Sequence, residues 1–281
     1  MKYFITVFFM MFYLSSFSQN KMIELWSDKV PGEIKAKSDP VIAPSKNDDV
    51  LRISEVTDPK LEVFIPVKMN DKHSAVIVCP GGGYNILAYD KEGEEIAKWL
   101  NKLGYAAFVL QYRVPKKKVG ALQDLQRAIR IVRNDAAKWD INPARIGVIG
   151  FSAGASLCAR AATSFNKNIY SPIDKADGVS CRPSYVMLIY PAYLDLGDNH
   201  TLTPELKLTK DVPPIFIFQA SDDPYGNSSL VMAKALRDAK LSVELHIVPF
   251  GGHGYGLRSG KRAPETWPEL AKTWMSKITK D

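Results

Sequence analysis

The spacing of hydrophobic positions changes repeatedly along the chain. Short runs rich in β-branched and aromatic residues occupy 61–65, 75–79, 105–111, 146–149, 185–190, 215–218 and 243–248, and read as strands. Several are apolar almost throughout, as strands covered on both faces are. Between them lie stretches of helical period. The clearest puts Leu122, Leu125, Ile129, Val132 and Ala136 on one face while Arg127, Arg130 and Arg133 point elsewhere. A second aligns Ile96, Leu100 and Leu103. A third begins near Pro264, carries Pro268 in its first turn and aligns Trp267, Leu270, Trp274 and Ile278. Strand and helix alternating in this way predict one α/β domain over 61–281, with a mostly parallel central sheet and helices on both faces. Residues 19–60 lack clear periodicity and contain Pro31, Pro40, Pro44 and Pro59, so they are expected to form an extended segment packed on that domain.

The first residues have a different pattern. Lys2 precedes an uncharged apolar run over 4–14, then Ser16-Phe17-Ser18, a small-x-small cleavage pattern. Residues 1–18 are therefore expected to be a signal peptide cut near Ser18, and the run is too short to span a bilayer. The expectation is a secreted or periplasmic protein with no stable membrane insertion after cleavage. Three cysteines, Cys79, Cys158 and Cys181, form neither a disulfide framework nor a metal-ligand spacing. The formal charge is +7, but the densest basic run, Lys116-Lys117-Lys118, has no neighbouring aromatics or arginine cluster, so nucleic acid is not expected as a partner.

Chemistry concentrates after the strands. Gly150-Phe151-Ser152-Ala153-Gly154 directly follows the run 146–149 and opens a helix-like stretch, the strand-turn-helix context of a nucleophile elbow. Such a turn lifts a serine hydroxyl to a helix N-terminus, where partial positive charge favours a developing anion. A serine needs a base. Of four histidines, His253 stands out within Gly251-Gly252-His253-Gly254, just after the run 243–248, at a strand's carboxyl end where α/β ligand sites form. His246 lies inside that strand, and His73 and His200 sit in polar loops. The orienting carboxylate is expected from Asp222-Asp223-Pro224, after the run 215–218; either aspartate could serve, and the proline that holds the turn favours Asp223. Pro80-Gly81-Gly82-Gly83-Tyr84 follows the run 75–79, and its glycines allow adjacent N–H groups to face one developing oxyanion together with the amide of Ala153. The order Ser152, Asp223, His253 is that of α/β hydrolases. No H-E-x-x-H or C-x-x-C occurs, and no metal or other cofactor is expected.

These motifs resemble the α/β-hydrolase-fold esterases often labelled acetylxylan esterase or endo-xylanase. The likeness includes Leu25-Trp26 with Pro31-Gly32-Glu33, the run from Val78 to Tyr84, and Leu110-Gln111-Tyr112-Arg113-Val114-Pro115. It continues through Leu122-Gln123-Asp124 with Arg127-Ala128-Ile129-Arg130, the elbow, and Gly251-Gly252-His253-Gly254-Tyr255-Gly256. The resemblance implies Ser152 as nucleophile, Asp223 as acid, His253 as base, and Gly82, Gly83 and Ala153 as oxyanion positions. Ala155 departs from a glycine that many relatives carry after the elbow. The implied activity is removal of acetyl groups from polysaccharides or oligosaccharides such as acetylxylan. Glycoside hydrolysis uses paired carboxylates, and nothing in the sequence marks such a pair. Two other readings are a serine peptidase of prolyl-oligopeptidase type and a non-catalytic carbohydrate-binding protein. Tyr84, beside the expected oxyanion hole, and the loop 164–183 with Tyr170 are the expected places for sugar contacts.

Overall fold

The computed structural model describes residues 21–44, 48–258, 260 and 262–278; the expected signal peptide at 1–18 lies outside the described residues. The segment before residue 60 supplies β1 (Met22–Glu24), β2 (Val41–Ile42) and β3 (Arg52–Ser54). Each of the seven apolar runs contains a strand: β4 (Lys60–Phe64), β5 (Ala75–Cys79), β7 (Ala106–Gln111), β8 (Ile146–Phe151), β9 (Val186–Ile189), β10 (Ile215–Ala220) and β11 (Val243–Val248). A short β6 (Leu87–Ala88) follows the glycine loop. The helices are α1 (Glu95–Lys102), α2 (Lys118–Asn134), α3 (Ala153–Ser164), α4 (Asn227–Asp238) and α5 (Arg262–Ile278), with a π-helical turn at Asp90–Glu94 leading into α1.

Eight strands form one sheet in the order β1-β4-β7-β5-β8-β9-β10-β11. It is parallel from β7 to β11, and β4 and β1 join antiparallel at one edge. Every residue of β5, β7, β8, β9 and β10 is buried, which is why these strands read as unbroken apolar runs. From β5 the chain moves outward to β7, then crosses back over β5 to β8. Right-handed crossovers in opposite directions put α1 on one face and α2 on the other. Trp99 of α1 meets Trp267 of α5 edge-on at 5.1 Å, while α2 packs along α3. The reversal between β5 and β8 opens a crevice at their carboxyl ends, where ligands of such sheets bind.

Residues 21–60 do more than lie over the domain. β1 pairs with β4 in the main sheet, and β2 and β3 join β6 in a small antiparallel sheet. These strands span only two or three residues, too few for alternation to show. Helix α4 also had no clear signal, because Ser228 and Ser229 share its buried face with Met232 and Leu236. Helix α5 begins at Arg262, so Pro268 falls in its second turn rather than its first.

The N-terminal segment is held by a buried ion pair. Asp124 on α2 accepts from Trp26 Nε1 at 2.9 Å, from the Arg113 amide at 3.0 Å and from Arg113 Nε at 2.9 Å. The Arg113 guanidinium also donates to the carbonyls of Pro31 and Gly120 and to Gln123 Oε1. Both members of the pair are almost wholly excluded from water, so removing one leaves the other as an uncompensated buried charge. Asp124→Ala is expected to lower unfolding free energy by about 3–5 kcal/mol in urea denaturation. An unchanged midpoint would show that the segment is held by something else.

Candidate active site

Ser152 sits between β8 and α3 with φ 52° and ψ −115°, a left-handed conformation that a non-glycine residue adopts only under constraint. The constraint is close approach. A Cβ on Gly150 would lie 2.2 Å from the Gly154 carbonyl oxygen, and one on Gly154 would lie 2.1 Å from the Cys79 carbonyl oxygen. Only glycine at both places lets α3 start this close to β5, which points the serine out at the strand ends.

His253 Nε2 lies 2.7 Å from Ser152 Oγ, and its Nδ1 lies 2.7 Å from Asp223 Oδ2. Asp223 is itself fixed: Gln219 Nε2 donates to Oδ2 and the Tyr225 amide to Oδ1, both at 2.8 Å, while Ser229 orients Gln219 through a 2.7 Å hydrogen bond. The neighbouring aspartate has a different task. Asp222 Oδ1 accepts from the Gly252 amide at 2.8 Å and so ties down the loop that carries the imidazole. The other histidines are elsewhere: His246 pairs with Glu244 at 2.8 Å, His73 lies against Asp140, and His200 follows Asn199 in a surface turn.

The glycine loop faces this group from the end of β5. Gly82 has φ 134°, and a Cβ there would lie 2.1 Å from the Ile86 carbonyl oxygen. The Gly81 amide is used within the fold, donating to Glu92 Oε2 at 2.8 Å. The amides of Gly82, Gly83 and Ala153 have no protein acceptor among the described residues. Ser152, His253, Gly82, Gly83, Tyr193 and Tyr225 share a cleft of about 430 Å³. Tyr84 does not present its ring there. It is only 2 % exposed, packed against Tyr112 and Tyr193, with burial pushing its hydroxyl up to about 12. Tyr170 is also structural, donating to Asp177 at 2.6 Å and meeting Trp26 edge-on. Tyr193 and Tyr225, which had no motif to mark them, are the aromatic rings lining the cleft. Among the described residues no group of three or more His, Cys, Asp or Glu could hold a metal ion.

Residues 61–193 match the family model described as BD-FAE. The chain is 31 % identical over 254 residues to an acetylxylan esterase of Xylanibacter ruminicola, covering 81 % of this chain and 50 % of that protein. It is 33 % identical over 210 residues to endo-1,4-beta-xylanase B of Butyrivibrio fibrisolvens, of which it covers 32 %. The crystal structure of an acetyl ester-xyloside bifunctional hydrolase from Caldicellulosiruptor lactoaceticus superimposes with a TM-score of 0.74 at 32 % identity, over 92 % of this chain and 97 % of that one. The chain belongs to this family of α/β-hydrolase-fold esterases. It spans half the length of the Xylanibacter esterase and about a third of the Butyrivibrio xylanase.

Within this esterase fold, a buried carboxylate joins the two loops that flank Ser152. Glu92 takes the Gly81 amide on Oε2 and the Tyr190 hydroxyl on Oε1 at 2.8 Å, and the Tyr190 oxygen accepts from the Gly256 amide at 3.0 Å. Tyr190 also meets the His253 ring edge-on at 5.2 Å. Burial raises the Glu92 carboxyl above the ordinary carboxylate range, opposed by the hydrogen bonds from Tyr190 and Gly81. The sequence holds no marker for this role beyond one acidic residue among several in the run 90–95. Glu92→Ala is expected to orphan two buried donors at about 1–3 kcal/mol each. Combined with Tyr190→Phe, it should show a coupling of about 0.5–3 kcal/mol in a double-mutant cycle of urea unfolding. Additive losses would mean the two loops are not joined through this pair.

Proposed function

We propose that the protein is an exported serine carboxylic-ester hydrolase that removes acetyl groups from xylan-like polysaccharides or their oligosaccharides. The observation that carries this reading is the unbroken run of contacts from Ser152 through His253 to Asp223, 2.7 Å at each step, at the edge of an open cleft. With Nδ1–H donated to Asp223, the imidazole keeps an Nε2 lone pair for the Ser152 proton. Ser152 Oγ attacks the ester carbonyl, His253 takes its proton, and the oxyanion meets the amides of Gly82, Gly83 and Ala153. As the ester C–O bond breaks, His253 protonates the departing sugar oxygen, and water activated by the same imidazole releases acetate from the acyl-enzyme.

The sugar side of the reading rests on the relatives' names and on Tyr193 and Tyr225, cleft-lining rings that meet edge-on at 5.6 Å and offer apolar surface to a pyranose. Acyl transfer is favoured over glycoside cleavage by what surrounds the carboxylates. A glycosidase needs two of them free across the bond. In this cleft Asp48 is paired with Arg52, and Glu92 is taken up by Gly81 and Tyr190.

Ser152→Ala is expected to retain its near-ultraviolet circular dichroism, lose the single fluorophosphonate adduct seen by intact-protein mass spectrometry, and release acetate from acetylated xylan at least about 10⁴-fold more slowly. In the same assay Asp223→Asn should lose about 10⁴-fold in kcat by upsetting the imidazole tautomer, whereas Asp222→Asn should lose far less. Equal losses would remove the distinction between the two aspartates, and an unimpaired Ser152→Ala would overturn the mechanism. Export is tested by N-terminal sequencing of the protein from periplasm or medium, with a start just after Ser18 expected and retention of Met1 contradicting it.

A further inference from the structure

Beside the Ser152 cleft lies a larger one of about 700 Å³, whose walls include Glu33, Ile34 and the run Lys116-Lys117-Lys118-Val119. Gly83 lines both clefts. Lys118 and Val119 also line a third, of about 510 Å³, with Arg160, Lys167 and Lys207. Shared wall residues set the three clefts in a row, a path beside Ser152 for a longer substrate.

The charges on this path do not balance. Glu33 is paired with Lys117, Glu205 with Arg160, and Arg113 with the buried Asp124. Lys116, Lys118, Lys167 and Lys207 are exposed, and among the described residues none has a carboxylate partner. Lys118 reaches a ring of the ester site. Its Nζ lies 5.6 Å from the Tyr84 ring centroid and 5.7 Å from that of Tyr193, which itself lines the Ser152 cleft. Exposed apolar side chains line the same cleft, Ile34 at 98 % and Val119 at 70 %. Apolar patches suit the C–H faces of sugar rings, and unpaired ammonium groups suit anionic substituents on them.

We infer that this groove is a subsite for an anionic saccharide, one bearing carboxylate or sulfate groups near the acetyl ester. The inference deepens the ester-hydrolase reading and rests on it for the position of the scissile bond. Carboxylate and sulfate share the chemistry that the lysines would recognise, and the test separates them.

The experiment measures binding by titration calorimetry to the full chain carrying Ser152→Ala, so that no ligand is consumed. The probes are a neutral xylo-oligosaccharide, a glucuronate-substituted one and a sulfated one of the same length. An acidic probe should bind about fivefold or more tightly than the neutral one at low salt, the gain of a few exposed ion pairs. That preference should shrink as salt screens it and vanish in Lys116→Ala/Lys118→Ala, while Lys116→Arg/Lys118→Arg retains it. Whichever acidic probe shows the preference identifies the anion. Equal binding of neutral and acidic probes, or a preference that the double alanine variant keeps, overturns the subsite. Acetate release by the wild-type chain from a neutral acetylated oligosaccharide is read separately. Acetate release without an acidic preference removes the subsite alone, and a lysine-dependent preference without acetate release removes the esterase reading while the subsite stands.

Discussion

The turn at Ser152 depends on a helix and a strand approaching more closely than any side chain would allow. Gly150 and Gly154 make that approach possible, and Ser152 at φ 52° takes the strain. Such a conformation costs on the order of 1–3 kcal/mol and survives only where its surroundings over-determine it. Here they are the fully buried β5 and β8, hydrogen-bonded in parallel from Ala75 opposite Ile146 to Cys79 opposite Gly150. Because the two strands are neighbours, the same pairing brings the glycine loop after β5 to the serine after β8.

The other two parts of the site come from β10 and β11, which pair along their whole lengths. Their carboxyl-end loops carry Asp223 and His253, and each is tied by hydrogen bonds. Gln219, oriented by Ser229, holds Asp223; Asp222 holds the Gly252 amide; and Tyr190 holds Gly256 and reaches Glu92 under the glycine loop. A polar network of this kind is stabilising only when its members are satisfied, and Glu92, Tyr190, Asp223 and Gln219 all are. The loops around the serine thus behave as one assembly even though long stretches of sequence separate them.

The N-terminal segment has a similar double use. Trp26 and the Pro31 carbonyl are drawn in by Asp124 and Arg113, and Glu33 is held by Lys117. That anchoring closes the antiparallel edge of the sheet through β1. It also sets Glu33 and Ile34 in the wall of the larger cleft beside Ser152, which they share with lysines that lack acidic partners.

Alternation of apolar runs with helical periods determined the α/β class and located seven strands, because β-branched and apolar runs, unbroken in the five strands buried on both faces, leave a signal that does not depend on their neighbours. Gly150 to Gly154, the triple glycine and His253 were legible for the same local reason: each motif is a backbone requirement contained in a few residues. Between Asp222 and Asp223 the sequence could only favour one, since the choice rests on which carboxylate faces an imidazole thirty positions away. Tyr84 shows the reverse case. Its place beside the glycines suggested substrate contact, but packing buried it and left Tyr193 and Tyr225 in the cleft. Glu92, the short strands β1, β2, β3 and β6, and the unpaired lysines were decided by tertiary structure alone. Their roles arise from partners distant in sequence, and the energies involved, desolvation and charge pairing, exist only once the chain has brought those partners together.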